Sequence, residues 1–177
     1  AGQVYNRDWI KAGIGIVLEA AFWTGYFQWK REGEDLREEY RVYAHEHYDP
    51  VRYAEWLNSY EGYEGEPITT EEVARAVDMS APQSWSREEQ RMVRRLIDEI
   101  QAAERQSHFV DGSRAAFSHE LPHFGEQQYY ELIGKYYQYA PGWDDCAASC
   151  SIQTPSDRFF AYARLHGAAH SLLRKAS

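Results

Sequence analysis

The sequence predicts an all-α protein, a helical bundle with a long N-terminal helix that is membrane-spanning or membrane-associated. Two observations lead there. Helix start signals and apolar residues at helical spacing recur along the chain, with no sustained strand alternation and no internal repeat. Near the N-terminus, the run "KAGIGIVLEAAFWTGYFQW", residues 11–29, has a length of about 30 Å as a helix, close to the thickness of a bilayer core. A chain of 177 residues can bury a core of its own, so a second globular domain is not required. The reading divides it into a membrane-associated helix, residues 1–30, and a water-facing helical domain, residues 31–177, whose final helix could lead to further membrane segments.

The elements follow in order. Asn6 is a candidate N-cap for one helix running from about Arg7 to Tyr48, with Gly33 as the place where it could be interrupted. Pro50 can start a second helix, "PVRYAEWLNSY", which the turn-rich "EGYEGEP" ends. Thr69 or Thr70 caps "TEEVARAVDMS". Ser86 with Glu89 forms a capping-box pattern that opens "REEQRMVRRLIDEIQAAERQ", where Met92, Val93, Leu96, Ile97 and Ile100 make one apolar stripe. "QQYYELIGKYYQY" and "SDRFFAYARLHGAAHSLLRKA" complete the set, the latter capped by Ser156 and carrying more apolar residues than one stripe requires.

Composition excludes some functions. A net charge of -9 and a pI near 5.3 leave no basic surface for phosphate backbones, so no nucleic-acid partner is expected. Fourteen Tyr and six Trp are an excess of the kind seen where chains meet membranes or ligands. Trp9, Trp23, Tyr26 and Trp29 lie towards the ends of the opening run, and basic residues flank it on both sides, leaving its orientation open. Ala12, Gly13, Gly15, Ala21 and Gly25 would let another helix approach closely. Glu19 sits near the middle, on the face of Ala12, Gly15 and Phe22. A carboxyl there is costly in lipid, so that face is expected to pack on protein, with Glu19 a contact or proton-bearing site. The other reading is a soluble bundle helix with Glu19 at its rim.

Two segments resemble a known family. "AGQVYNRDWIKAGIG" is similar to the "PGxGQxYN" signature of a bacterial family of cell-envelope membrane proteins of unknown function, and "YYELIGKYYQYAPGWDD" resembles its "GKYxQ…GWDD" motif. The likeness covers both ends of the chain and leaves residues 50–125 outside. It departs from the family where the Pro-Gly before the opening would stand, and at His166 and His170, where Asn or other polar residues are usual. The resemblance implies a membrane-associated protein of the bacterial cell envelope and names no activity.

Candidate chemistry is sparse. Among three close histidine pairs, only His166 and His170 have the i,i+4 spacing that puts two imidazoles on one helix face, which makes them weak candidates for a metal. His45 with His47, and His119 with His123, lack the form of a zinc hydrolase motif. Cys146 and Cys150 fit either a small disulfide loop or two thiols. The GWDD segment gathers Lys135, Tyr136, Trp143, Asp144 and Asp145, a set able to bind a sugar or polar ligand, or to lock a loop onto the bundle. No nucleophile and base stand at a recognisable spacing, and no cofactor is implied. The sequence therefore points to a non-enzymatic, membrane-anchored envelope protein, a structural or accessory subunit whose partners are membrane lipid and other membrane subunits or itself. The alternative is a glycan- or lipid-binding, or metal-dependent, envelope enzyme.

Overall fold

The computed structural model describes residues 9–111, 113, 115–146 and 155–176. Among these residues there is no strand, only isolated bridges between Tyr48 and Trp143 and between His108 and Ala116, so the fold is all-α. The chain forms two compact units, Ala1–Glu38 with Gly167–Ser177, and Glu39–His166.

Helix α1 is Trp9–His47, unbroken at Gly33. A glycine inside a helix costs about 1 kcal/mol relative to alanine. Here it leaves room for a neighbour, since a Cβ at Gly33 would lie 2.7 Å from Leu173 Cγ. Asp49 then caps α2, Pro50–Asn58, its Oδ1 accepting from Val51 N at 2.8 Å with Pro50 in the first turn, where no amide hydrogen is needed. Helix α3, Glu71–Ala76, starts after Thr70, whose side chain makes no capping bond. A 3-10 turn at Pro82–Ser84 precedes α4, Arg87–Gln106. The Ser86–Glu89 capping box closes both ways, with Glu89 N donating to Ser86 Oγ at 3.2 Å and Ser86 N to Glu89 Oε2 at 2.7 Å. The anticipated stripe from Met92 to Ile100 is buried.

The segment expected as one helix from Gln127 to Tyr139 is divided. It forms α5, Gln127–Leu132, and a separate 3-10 turn, Tyr137–Gly142. Gly134, where a Cβ would overlap the Tyr162 ring, lies at the break, and Pro141 falls inside the 3-10 turn that follows. Helix α6, Asp157–Lys175, is opened by Ser156, whose Oγ accepts from Phe159 N at 3.2 Å. Its excess apolar surface is largely covered: Phe159, Tyr162 and Ala169 are buried, and only Phe160 among its large apolar residues is exposed.

Within the unit Glu39–His166, α2 packs against the Tyr137–Gly142 turn and against α4, and α3 packs against α4. The core is aromatic. Tyr40, Tyr48, Tyr53, Tyr129, Tyr130, Tyr139, Trp143 and Tyr162 are all buried. Much of the tyrosine excess thus serves the interior of this unit, where each ring buries a large area and meets others edge-on, as Tyr48 meets Tyr129 at 6.0 Å.

The N-terminal run behaves differently. Among the described residues no helix is long and apolar enough to cross a membrane. The polar content of the run explains this: Lys11, Glu19, Thr24 and Gln28 interrupt its apolar side chains. The expected packing of the Ala12, Gly15, Glu19 and Phe22 face is not met within this chain either, because Gly15, Glu19 and Phe22 are exposed.

Candidate functional site

The GWDD turn is built onto the end of α1. Asp49 N donates to Gly142 O at 2.9 Å and Asp144 N to His47 O at 2.8 Å, a pair of backbone bonds that holds the turn beside the helix terminus. Arg52 Nη1 adds a bond to Gly142 O at 2.8 Å. Gly142 permits this approach, since a Cβ there would overlap the Tyr48 ring. Trp143 is fully buried between Tyr48 and Tyr162, ring centroids 5.3 and 5.0 Å away, and its Nε1 donates to Ile133 O at 3.2 Å.

The two carboxylates are engaged by the start of α6. Asp144 Oδ1 lies 2.6 Å from Arg158 Nε, and its Oδ2 lies 2.9 Å from His47 Nδ1. Arg158 Nη1 is 2.9 Å from His47 Nε2. A guanidinium only donates, so Nε2 is the acceptor and the imidazole proton sits on Nδ1, facing Asp144. Asp145 Oδ2 accepts from Arg158 N at 3.0 Å. Trp143, Asp144 and Asp145 therefore join the turn to α1 and α6.

Lys135 and Tyr136 stand apart from them. Lys135 pairs with Glu131 at 3.2 Å and lies over the Tyr136 ring, which stacks on His119. With Phe109, Ser118, Tyr137 and Gln138 they line a shallow pocket of about 410 Å³ that contains none of Trp143, Asp144 and Asp145. The five residues read together from the sequence are thus split between a structural turn and a separate surface.

The histidines also find neighbours. His166 lies against Tyr40, ring centroids 4.9 Å apart, and His170 is exposed. Among the described residues no group of three or more His, Cys, Asp or Glu is placed to hold a metal ion. His45 Nε2 lies 2.7 Å from the Tyr130 hydroxyl. Cys146 is partly buried, while the pairing considered with Cys150 lies outside the described residues.

One buried carboxylate was not anticipated. Glu104, 1% exposed, accepts from Tyr53 Oη and Gln138 Nε2, each 2.9 Å from Oε1, and from Leu121 N, 2.6 Å from Oε2. Burial pushes its pKa up to about 7, outweighing the three hydrogen bonds that favour the anion. The signal was present: Glu104 follows Ile97 and Ile100 at helical spacing and so falls on the buried stripe of α4. Each oxygen has a donor, which makes Glu104 a tie between α2, α4 and the Tyr137–Gly142 turn.

What stays uncommitted is the first half of α1. Trp9, Ile10, Ile14, Ile16, Val17, Leu18, Phe22, Trp23, Phe27 and Trp29 are all exposed, Ile10 to 78%. They surround the helix rather than forming one stripe. Thr24 Oγ1 bonds back to Ala20 O at 2.8 Å and Gln28 Nε2 to Glu32 Oε1 at 2.9 Å, so the chain satisfies these polar groups locally. Glu19 is exposed with no ion-pair partner among the described residues. Against known proteins, the chain matches no family model, no curated protein and no solved structure.

Proposed function

We propose that the chain is a non-enzymatic accessory protein of a bacterial envelope membrane assembly, attached through residues 9–29 of α1, with the unit Glu39–His166 in water. The observation that carries this reading is the apolar surface encircling the helix. A helix apolar all round belongs in an apolar surrounding, and burying a large apolar side chain gains on the order of 1.5 to 3 kcal/mol. The ten exposed residues from Trp9 to Trp29 would together gain on the order of 10 kcal/mol or more. The single mid-helix carboxylate opposes this by roughly 2.5 to 3.5 kcal/mol on insertion scales. Apolar burial wins that comparison, yet Glu19 has to be met by something polar.

The occupant that fits both terms is a set of membrane-embedded helices of another subunit. They offer apolar surface and a polar partner for Glu19, and Ala12, Gly15, Ala21 and Gly25 admit close approach. Lipid alone leaves Glu19 unmet, in keeping with a run not apolar enough to cross by itself. The resemblance of "GQVYN" and "GKYYQYAPGWDD" to envelope proteins supports the location.

Fractionation of cells expressing the full-length protein tests this. The protein is expected in the membrane fraction, resistant to alkaline extraction, and in detergent it should migrate with a second polypeptide. Deletion of residues 9–29 should release it to the soluble fraction. A full-length protein that stays soluble and monomeric without detergent would reject the reading.

A further inference from the structure

Within the unit Glu39–His166 lies a cleft of about 480 Å³, lined by Arg41 of α1, the Pro82–Ser84 turn with Trp85, Gln90 and Arg94 of α4, and the loop carrying His123 and Phe124, with Tyr130 at its side. The loop is shaped for this. Glu126 N donates to His123 O at 3.2 Å and Gly125 has a φ of 88°, the left-handed geometry that the third residue of a type II turn requires. That turn sets Phe124 at its second position, where its ring lies 4.7 Å from Trp85. Trp85 is itself fixed, its Nε1 donating to Asp78 O at 2.7 Å.

The charge of the lining runs against that of the chain. In a protein of net charge -9, no Asp or Glu lines this cleft, while Arg41, Arg94 and His123 do. Arg91, Arg105 and Arg158 are paired with carboxylates, whereas Arg41 and Arg94 make no ion pair among the described residues. Arg41 lies over the Tyr130 ring, its Cζ 5.0 Å from the centroid, and its buried Nε has no hydrogen-bond partner. The guanidinium of an arginine with no carboxylate partner keeps donors for an anionic group. The carboxylates of Asp98 and Glu126 are directed to His123, at 2.9 and 3.8 Å.

We propose that this cleft is a binding site for a small molecule carrying a carboxylate or phosphate group on a planar ring. Arg41 and Arg94 hold the oxyanion through charge-assisted hydrogen bonds, Gln83 supplies an amide donor, and Trp85 and Phe124 take the ring. The site is independent of the apolar half of α1 and belongs to the compact unit Glu39–His166.

Titration calorimetry of the full chain in detergent tests it, with phenyl phosphate as the probe and inorganic phosphate and phenol as partial probes. Phenyl phosphate is expected to bind more tightly than either part. Arg94→Gln, at an exposed position where folding should be unaffected, is expected to weaken it about tenfold or more. Arg91→Gln, outside the cleft and paired with Glu88, should leave binding unchanged. An absence of phenyl phosphate binding, equal affinity for phenol, or an Arg94→Gln protein that binds like the parent would each overturn the proposal.

Discussion

The Tyr53 hydroxyl donates to the Glu104 carboxylate at 2.9 Å inside a core that leaves Glu104 1% exposed. An acid held there resists ionisation, and its pKa stands near 7 against an ordinary 4.5. Between those two values the folded state binds a proton that the unfolded state has already released. Stability is therefore full below about pH 4.5, falls as the pH rises towards 7, and levels off above it. The loss is on the order of 3 kcal/mol across the window. Denaturant unfolding at a series of pH values should show this slope. Glu104→Gln should remove it, at a cost of about 1 to 3 kcal/mol at pH 5 because the amide nitrogen sets a donor among Tyr53, Gln138 and Leu121, which all donate to this group. A variant that keeps the slope would assign it to another group.

Trp143 is the largest side chain of the core and has no exposed surface. Its removal leaves a cavity among Tyr48, Tyr162 and Tyr43 and strands Ile133 O without its indole donor. Trp143→Ala is expected to cost about 3 to 5 kcal/mol. An unchanged melting temperature would contradict the packing described.

The carboxylate beside it should matter far less. Asp144 is 31% exposed and Arg158 37%, so their ion pair is screened by water. Asp144→Asn should cost less than about 1 kcal/mol, despite three mutually bonded groups. Gly134→Ala, which looks milder, should cost more, about 1 to 3 kcal/mol, because the new methyl meets the Tyr162 ring. Chemical denaturation of the two variants side by side decides the order.

The contrast bears on what a sequence can disclose. Capping and stripe signals are local, so α4 with its Ser86–Glu89 box and α6 behind Ser156 could be read directly. The break between α5 and the Tyr137–Gly142 turn lies where Tyr162 crosses at Gly134, a contact between residues far apart in the chain. The GWDD residues were legible as a unit, but not that Asp144 and Asp145 would meet His47 and Arg158. The Arg41 and Arg94 cleft had no signature at all, since its lining comes from separate segments that only folding assembles.

The N-terminal half of α1 gives the last prediction, because its residues should be separable from the fold. Ile16, Val17 and Leu18 are exposed to 65% or more, so changing them removes no contact within the chain. Ile16→Asp with Leu18→Asp should shift stability by less than about 0.5 kcal/mol, the range of ordinary surface changes. The same pair should abolish membrane association, since two further carboxylates within three residues of Glu19 add a burial cost of roughly 5 kcal/mol or more. Glu19→Leu acts in the opposite sense. It makes the run more apolar, so lipid binding should persist or strengthen, while co-purification of a partner that meets the carboxylate should fall. Flotation on liposomes, detergent co-purification and thermal unfolding of the three proteins separate the effects. A double aspartate variant that still floats would show that residues 16–18 take no part in attachment, and a Glu19→Leu protein that keeps its partner would remove the carboxylate from the contact.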